Sequence, residues 1–362
     1  ERAVLMKKKE LWINQIKGLC ICLVVIYHSV ITFYPHLTHF QLPLSQLLSK
    51  CWVYFNLYLA PFRMPVFFFI SGFLIRRYID SVSWKESVNK RIWSIFWVLA
   101  LWGVVQWLAL NALNNWLAPS RDLLHASNAA YASSVSQFLH GMLTASTSLW
   151  YLYALIVYFI VCKVFSRWAV PLFALFVVLS VTVNFAATPW WGMNSVIRNL
   201  PYYSLGAWFG VPLMAGIKEV PLRRYALPCA AAFVLAIAAW LFNVSLLLSL
   251  VSIVLIVKLF YQYEQRFGMR ESSLLNVIGS NTIAIYTTHR ILVEAFSLLL
   301  IPQINAAVWS PELELALLLV YPFASLLVCT LLGLAMRKVS QDLFGDILFS
   351  PPSRPQTVSY SR

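Results

Sequence analysis

An all-α fold, a polytopic membrane helix bundle of about ten transmembrane helices, is the class this sequence predicts. Three observations predict it. The 362 residues are 60% hydrophobic and only 11% charged, with mean hydropathy +0.74. A soluble domain is about 25% charged, so this chain lacks the polar residues to cover a water-facing surface. Second, the sequence contains ten apolar stretches long enough to cross roughly 30 Å of hydrocarbon. Third, the basic residues sort to alternate connections between those stretches, as the positive-inside rule demands.

The ten expected spans are 18–36, 53–75, 92–113, 149–166, 169–187, 200–216, 226–242, 244–262, 276–301 and 313–336. The first follows "MKKKELWINQ", a basic flank with no small-residue cleavage site after it, so Met6 is the expected native start and no removable leader is expected. The second and third are joined by the basic loop "RRYIDSVSWKESVNKR". The third and fourth are separated by the longest polar loop, 114–148, rich in Ser, Asn and Ala. Asn243 alone joins the seventh and eighth as a tight hairpin. The last span ends before a Pro/Ser-rich segment, so the reading is one membrane domain over 1–340 and a disordered tail over 341–362. No internal repeat is visible.

With the N-terminus in the cytoplasm, 22 of the 27 Lys and Arg fall on cytoplasmic segments; the other five are Lys50, Arg63, Arg121, Arg198 and Arg290. The predicted topology is therefore multi-pass, with both termini cytoplasmic. The same distribution accounts for the net charge of +14 without nucleic acid. Membrane lipid is the expected surrounding, and Trp and Tyr cluster at span ends as interfacial anchors do. The six cysteines, five of them in apolar runs, form no CxxC pattern and read as small buried hydrophobes, so no metal is expected. No HxxxH, paired carboxylate or GxSxG is present, which removes metal and serine hydrolases.

An ionisable side chain at the bilayer centre costs about 2.5–3.5 kcal/mol on insertion scales and is by default a functional candidate. The first span carries two, Lys17 and His28. Eleven residues place them about 20° apart around the helix and roughly 16 Å apart along it. This spacing suits a long ligand with an anionic head at Lys17 and a reactive group at His28, and acyl-CoA is one such ligand. The alternative reading is that Lys17 snorkels to the interface and His28 bonds a neighbouring helix. Arg76, Arg77, Lys90 and Arg91 gather with Lys17 at the same mouth and form a basic ring suited to pyrophosphate. Ser71, beside Gly72, reads as packing. For His289, a structural hydrogen bond and a role in positioning the acceptor or acyl group both stay open. Glu294, five residues on, lies about 140° around the helix and pairs more naturally with Arg290 at i, i+4. Arg63 and Arg198 are expected at outer helix ends, snorkelling. His36, His39, His125 and His140 show no partner pattern.

Five stretches in order resemble the acyltransferase 3 family of integral-membrane acyltransferases over nearly the whole chain. They are "WINQIKGLCICLVVIYH", "MPVFFFISGFLIRR", "SLWYLYALIVYF" with Trp150, "RNLPYYSLGAWFG", and "IGSNTIAIYTTH" with Tyr286 and His289. The resemblance implies roughly ten helices and transfer of an acyl group, expected to be acetyl, from cytoplasmic acyl-CoA to a hydroxyl. It implies that His28 is catalytic and Lys17 essential beside it. Arg76, Arg77 and Arg91 are then the expected donor-binding residues, with Ser71, Trp150, Tyr286, His289 and Glu294 as substrate or structural support. The expected acceptor is an envelope carbohydrate or lipid-linked sugar. Two positions depart from the family pattern: Asn14 stands where an Asp is usual, and Ser94 where a second Arg would enter the third helix. His28 is read as a general base on the acceptor hydroxyl or as the carrier of an acyl intermediate. Two other classes remain: a transporter of an anionic or acylated molecule, and a catalytically inactive family member.

Overall fold

A computed structural model describes residues 10–38, 40, 42–123 and 126–352. Among these residues the secondary structure is entirely helical. The helices are α1 (Leu11–Phe33), α2 (Pro43–Tyr58), α3 (Ala60–Asp80), α4 (Trp84–Ser87), α5 (Ser94–Leu117), α6 (Val135–Leu143), α7 (Trp150–Val164), α8 (Ala169–Thr182), α9 (Trp191–Glu219), α10 (Leu222–Leu241), α11 (Leu246–Phe267), α12 (Leu274–Ser280), α13 (Thr282–Ala306) and α14 (Pro311–Phe344).

Seven helical stretches are long and apolar enough to cross a membrane, and eight if a bent pair counts as one span. The expected count of ten differs for physical reasons. The fourth and fifth expected spans are α7 and α8, of 15 and 14 residues, which meet at a 78° bend and form that pair. The sixth is α9, which is long enough at 29 residues but contains Arg198, Asn194, Asn199, Pro201 and Pro212, and these lower its hydropathy.

The centre of the bundle is the crossing of α3 on α9. A side chain at Gly72 would strike the Tyr203 carbonyl oxygen, and one at Gly206 would strike the Phe69 carbonyl oxygen. Small residues let the backbones approach this closely. Phe67, Phe68, Phe69 and Ile70 fill the core around the crossing, and the Ser71 hydroxyl lies 2.7 Å from the Tyr151 hydroxyl. α1 packs on the short α12 in the same way, with Gly279 against the Asn14 carbonyl.

The tail expected to be disordered from 341 is ordered to 352. α14 runs to Phe344, and the chain then turns back through Gly345 in the left-handed region, at φ 58°. Phe349 stacks on Trp102 at 5.5 Å, Trp102 donates to the Leu348 carbonyl at 2.7 Å, and Arg337 pairs with Asp346 at 2.8 Å. An apolar anchor thus precedes the Pro/Ser-rich end; residues 353–362 lie outside the described residues.

Candidate active site

His28 sits about three-quarters of the way along α1, and α13 brings His289 to it, with ring centroids 5.2 Å apart. The Nδ1 atom of His289 is 2.6 Å from the Tyr286 carbonyl and 3.2 Å from that of Ile285. Carbonyls only accept, so Nδ1 carries the proton and Nε2 presents its lone pair. That Nε2 is buried and has no hydrogen-bond partner among the described residues. The Tyr286 hydroxyl donates to the Ser148 carbonyl at 2.6 Å and ties α13 to the start of α7.

His28 opens onto a cavity of about 560 Å³, which Trp150, Tyr286, Arg63, Arg198 and Arg290 also line. Arg63 is therefore not at a snorkelling position. It is 4% exposed, donates to the Asn56 carbonyl at 3.0 Å and lies 4.1 Å above the Tyr27 ring. Arg198 likewise lines the cavity, and its Nε donates to Asn184 Oδ1 at 2.8 Å. Sequence reasoning missed both as site residues. Their signal was present all the same: they are among the five basic residues that break the charge asymmetry.

Glu294 pairs with Arg290 at 3.1 Å, as the i, i+4 spacing predicts, and also with Arg121 at 2.8 Å. Arg121 comes from the polar loop after α5, so this second pair was not legible in the sequence. Burial pulls the Arg121 guanidinium down, but Glu294 outweighs it and its pKa is raised. Burial likewise pushes up the neighbouring Tyr131 phenol, against the pull of Arg290. These residues, with His36, line a second cavity of about 480 Å³ that shares Ile31 and Arg290 with the first. The His140 ring lies edge-to-face with Trp190 at 6.2 Å and lines none of these cavities, while His39 and His125 lie outside the described residues.

Lys17 lines a different cavity, of about 780 Å³, with Asn14, Arg76 and Lys218. The two cavities lie toward opposite ends of the bundle. The His28 cavity is lined by Leu57–Pro65 of the α2–α3 region and Ser195–Tyr202 of α9, the Lys17 cavity by Phe73–Arg76 and Val211–Glu219 of the same α3 and α9. Between them lie the buried Cys20 and Ile21 and the α3–α9 crossing. The single elongated site expected along α1 is thus two cavities with packed protein between them.

The expected basic ring is also divided. Arg76 joins Lys17, with its Nη1 donating to the Phe73 carbonyl at 2.7 Å. Arg77 and Arg91 do not line that cavity. Arg91 stacks 4.3 Å above Tyr78 instead. Ser71 lines neither of these two cavities; its contact with Tyr151 agrees with the packing reading. The departure at Asn14 has a local reason. Its Nδ2 donates to the Asn276 carbonyl at 2.7 Å and to Ser280 Oγ at 3.0 Å, where a carboxylate would face a carbonyl with no proton to give. Ser94 donates back to the Lys90 carbonyl within its own helical segment.

A family model described as an acyltransferase domain matches residues 10–334. Inner membrane protein YcfT of Escherichia coli (strain K12) is 78% identical over 357 residues, which is 99% of this chain and 100% of the relative. No solved structure matches the chain. At family level the activity is acyl transfer at a membrane. A helical membrane bundle whose residues 10–334 fit that model, with the five sequence stretches in order along it, belongs to the acyltransferase 3 family.

Proposed function

We propose that the chain transfers an acyl group, acetyl by expectation, from a cytoplasmic acyl-CoA to a hydroxyl of an envelope glycan or lipid-linked sugar in the bacterial inner membrane. The observation that carries this reading is α1 itself, which presents Lys17 to one cavity and His28 to another toward the opposite end of the bundle. A donor with a charged head and a long thin arm matches that layout. Lys17 and Arg76 meet the phosphates, and the thioester reaches His28 once the packed region between the cavities opens. His28 accepts the proton of the acceptor hydroxyl as its oxygen attacks the thioester carbonyl. An ester C–O bond forms, the C–S bond breaks, and the proton passes to the departing thiolate to give CoA-SH. Transfer through an acyl-His28 intermediate has the same net balance and differs in its ping-pong kinetics.

The test is acetyl-CoA binding and turnover by purified protein in detergent, wild type beside Lys17→Ala and His28→Ala. Wild type is expected to bind and slowly hydrolyse acetyl-CoA, and Lys17→Ala to bind it more weakly. His28→Ala is expected to bind it while losing on the order of 100-fold or more in turnover, the usual contribution of a general base. Wild type that ignores acetyl-CoA and a panel of longer acyl-CoAs overturns the proposal. The two-cavity layout then favours transport, because it resembles a pathway closed at its centre.

A further inference from the structure

Three of the five basic residues that break the charge asymmetry converge. Arg63 from α3, Arg198 from α9 and Arg290 from α13 all line the His28 cavity, and no Asp or Glu lines it among the described residues. Arg290 is balanced by Glu294 at 3.1 Å. Arg63 and Arg198 make no ion pair among the described residues: their partners there are neutral, the Asn56 carbonyl with the Tyr27 ring, and the Asn184 side chain. Cations held in a membrane bundle without a counter-charge are expensive, and such residues mark sites where a ligand completes the charge. A guanidinium offers five N–H donors in a planar fork that matches phosphate or carboxylate. The hydrogen bonds above engage Arg63 through Nη1 and Arg198 through Nε. The other lining residues describe the remainder of such a ligand. Trp150, Trp191 and Trp240 supply faces for a sugar ring, and the side-chain oxygen of Asn243, whose Nδ2 donates to the Asn184 carbonyl, supplies an acceptor for a hydroxyl.

We infer that the acceptor is an anionic glycan, whose phosphate or carboxylate is held by Arg63 and Arg198 while one of its hydroxyls meets His28 in the same cavity. The inference rests on the acyl-transfer reading for the word acceptor, and on the cavity alone for the charge.

The test is a tryptophan-fluorescence titration of the purified full chain in neutral detergent, with glucose 1-phosphate, glucuronate and neutral glucose as probes. At least one anionic sugar is expected to bind tenfold or more tightly than glucose. Arg198→Gln and Arg63→Gln are each expected to weaken it at least tenfold, and Arg198→Lys to fall between. Lys50→Gln, which removes a positive charge from an exposed site, is expected to leave it unchanged. Size-exclusion profiles verify folding, and Arg198→Gln serves alone if the buried Arg63→Gln does not fold. A second arm compares nanodiscs of phosphatidylcholine with nanodiscs containing phosphatidylglycerol. Competition by the anionic lipid alone, with no soluble sugar anion bound, makes the ligand a phospholipid headgroup and overturns the glycan. Equal affinity for charged and neutral sugars, or no loss in the arginine variants, overturns the inference while acetyl-CoA turnover still stands. Anion binding by a protein that binds no acyl-CoA overturns the acceptor role.

Discussion

Glu294 illustrates what one side chain settles. It is 5% exposed and holds Arg290 within its own helix and Arg121 from a loop 173 residues away in sequence. Replacing it with Gln leaves two guanidiniums without their carboxylate, and breaking a buried pair from one side costs about 3–5 kcal/mol. Arg121 is 36% exposed, so Arg121→Ala removes a partly solvated partner, worth at most about 1 kcal/mol. Thermal unfolding in detergent should therefore fall much further for Glu294→Gln than for Arg121→Ala. Equal losses would show that the loop arginine, rather than the intrahelical pair, dominates. The spacing of Arg290 and Glu294 was legible in the sequence because i, i+4 is a local rule. Arg121 was not, because nothing local specifies which loop residue folds back onto α13.

At the scale of elements, the α3–α9 crossing holds the two cavities apart. A methyl at Gly72 collides with the Tyr203 carbonyl, an atom that cannot move without shifting α9. Overpacking of this kind costs about 1–3 kcal/mol. Gly216, near the end of the same α9, has nothing within 4 Å of an added Cβ. Ala is intrinsically favoured there by up to about 1 kcal/mol. Gly72→Ala should lower the yield of monodisperse protein and its thermal stability, and Gly216→Ala should preserve or raise both. Tolerance of Gly72→Ala would mean that α3 and α9 separate readily, and the packed region between the cavities would then be loose in the resting protein. The sequence placed Gly72 in a packing stretch of its helix, but it did not single out Gly206 or show that the two meet across one crossing.

For the whole molecule, the charge asymmetry makes a sidedness prediction. Lys85 lies in the short α4 that follows α3, at the Lys17 end, and Ala307 in the link between α13 and α14, at the other end; both are exposed. In a background with the exposed Cys51 and half-buried Cys229 replaced, Ala307→Cys should react with a membrane-impermeant maleimide on spheroplasts. Lys85→Cys should react only in inverted vesicles. The reverse labelling would put the Lys17 cavity on the outer side, where acyl-CoA does not reach it, and would end the cytoplasmic-donor reading.

The sequence alone determined the helical membrane class, the uneven distribution of basic residues, and the placing of Lys17 and His28 on one face of α1. Each follows from composition or from a period of 3.6 residues, and so needs only a short stretch of chain. Only the tertiary structure decided that Lys17 and His28 serve different cavities. It also decided that Arg76 joins Lys17 while Arg77 and Arg91 do not, and that His289, Arg63 and Arg198 gather around His28. Those outcomes depend on where helices cross and bend: at Gly72 against Tyr203, at the 78° break between α7 and α8, and along α9 with Pro201 and Pro212 in its length. Periodicity tells which side of a helix turns inward, but the neighbour it meets there is fixed by packing between segments far apart in the chain.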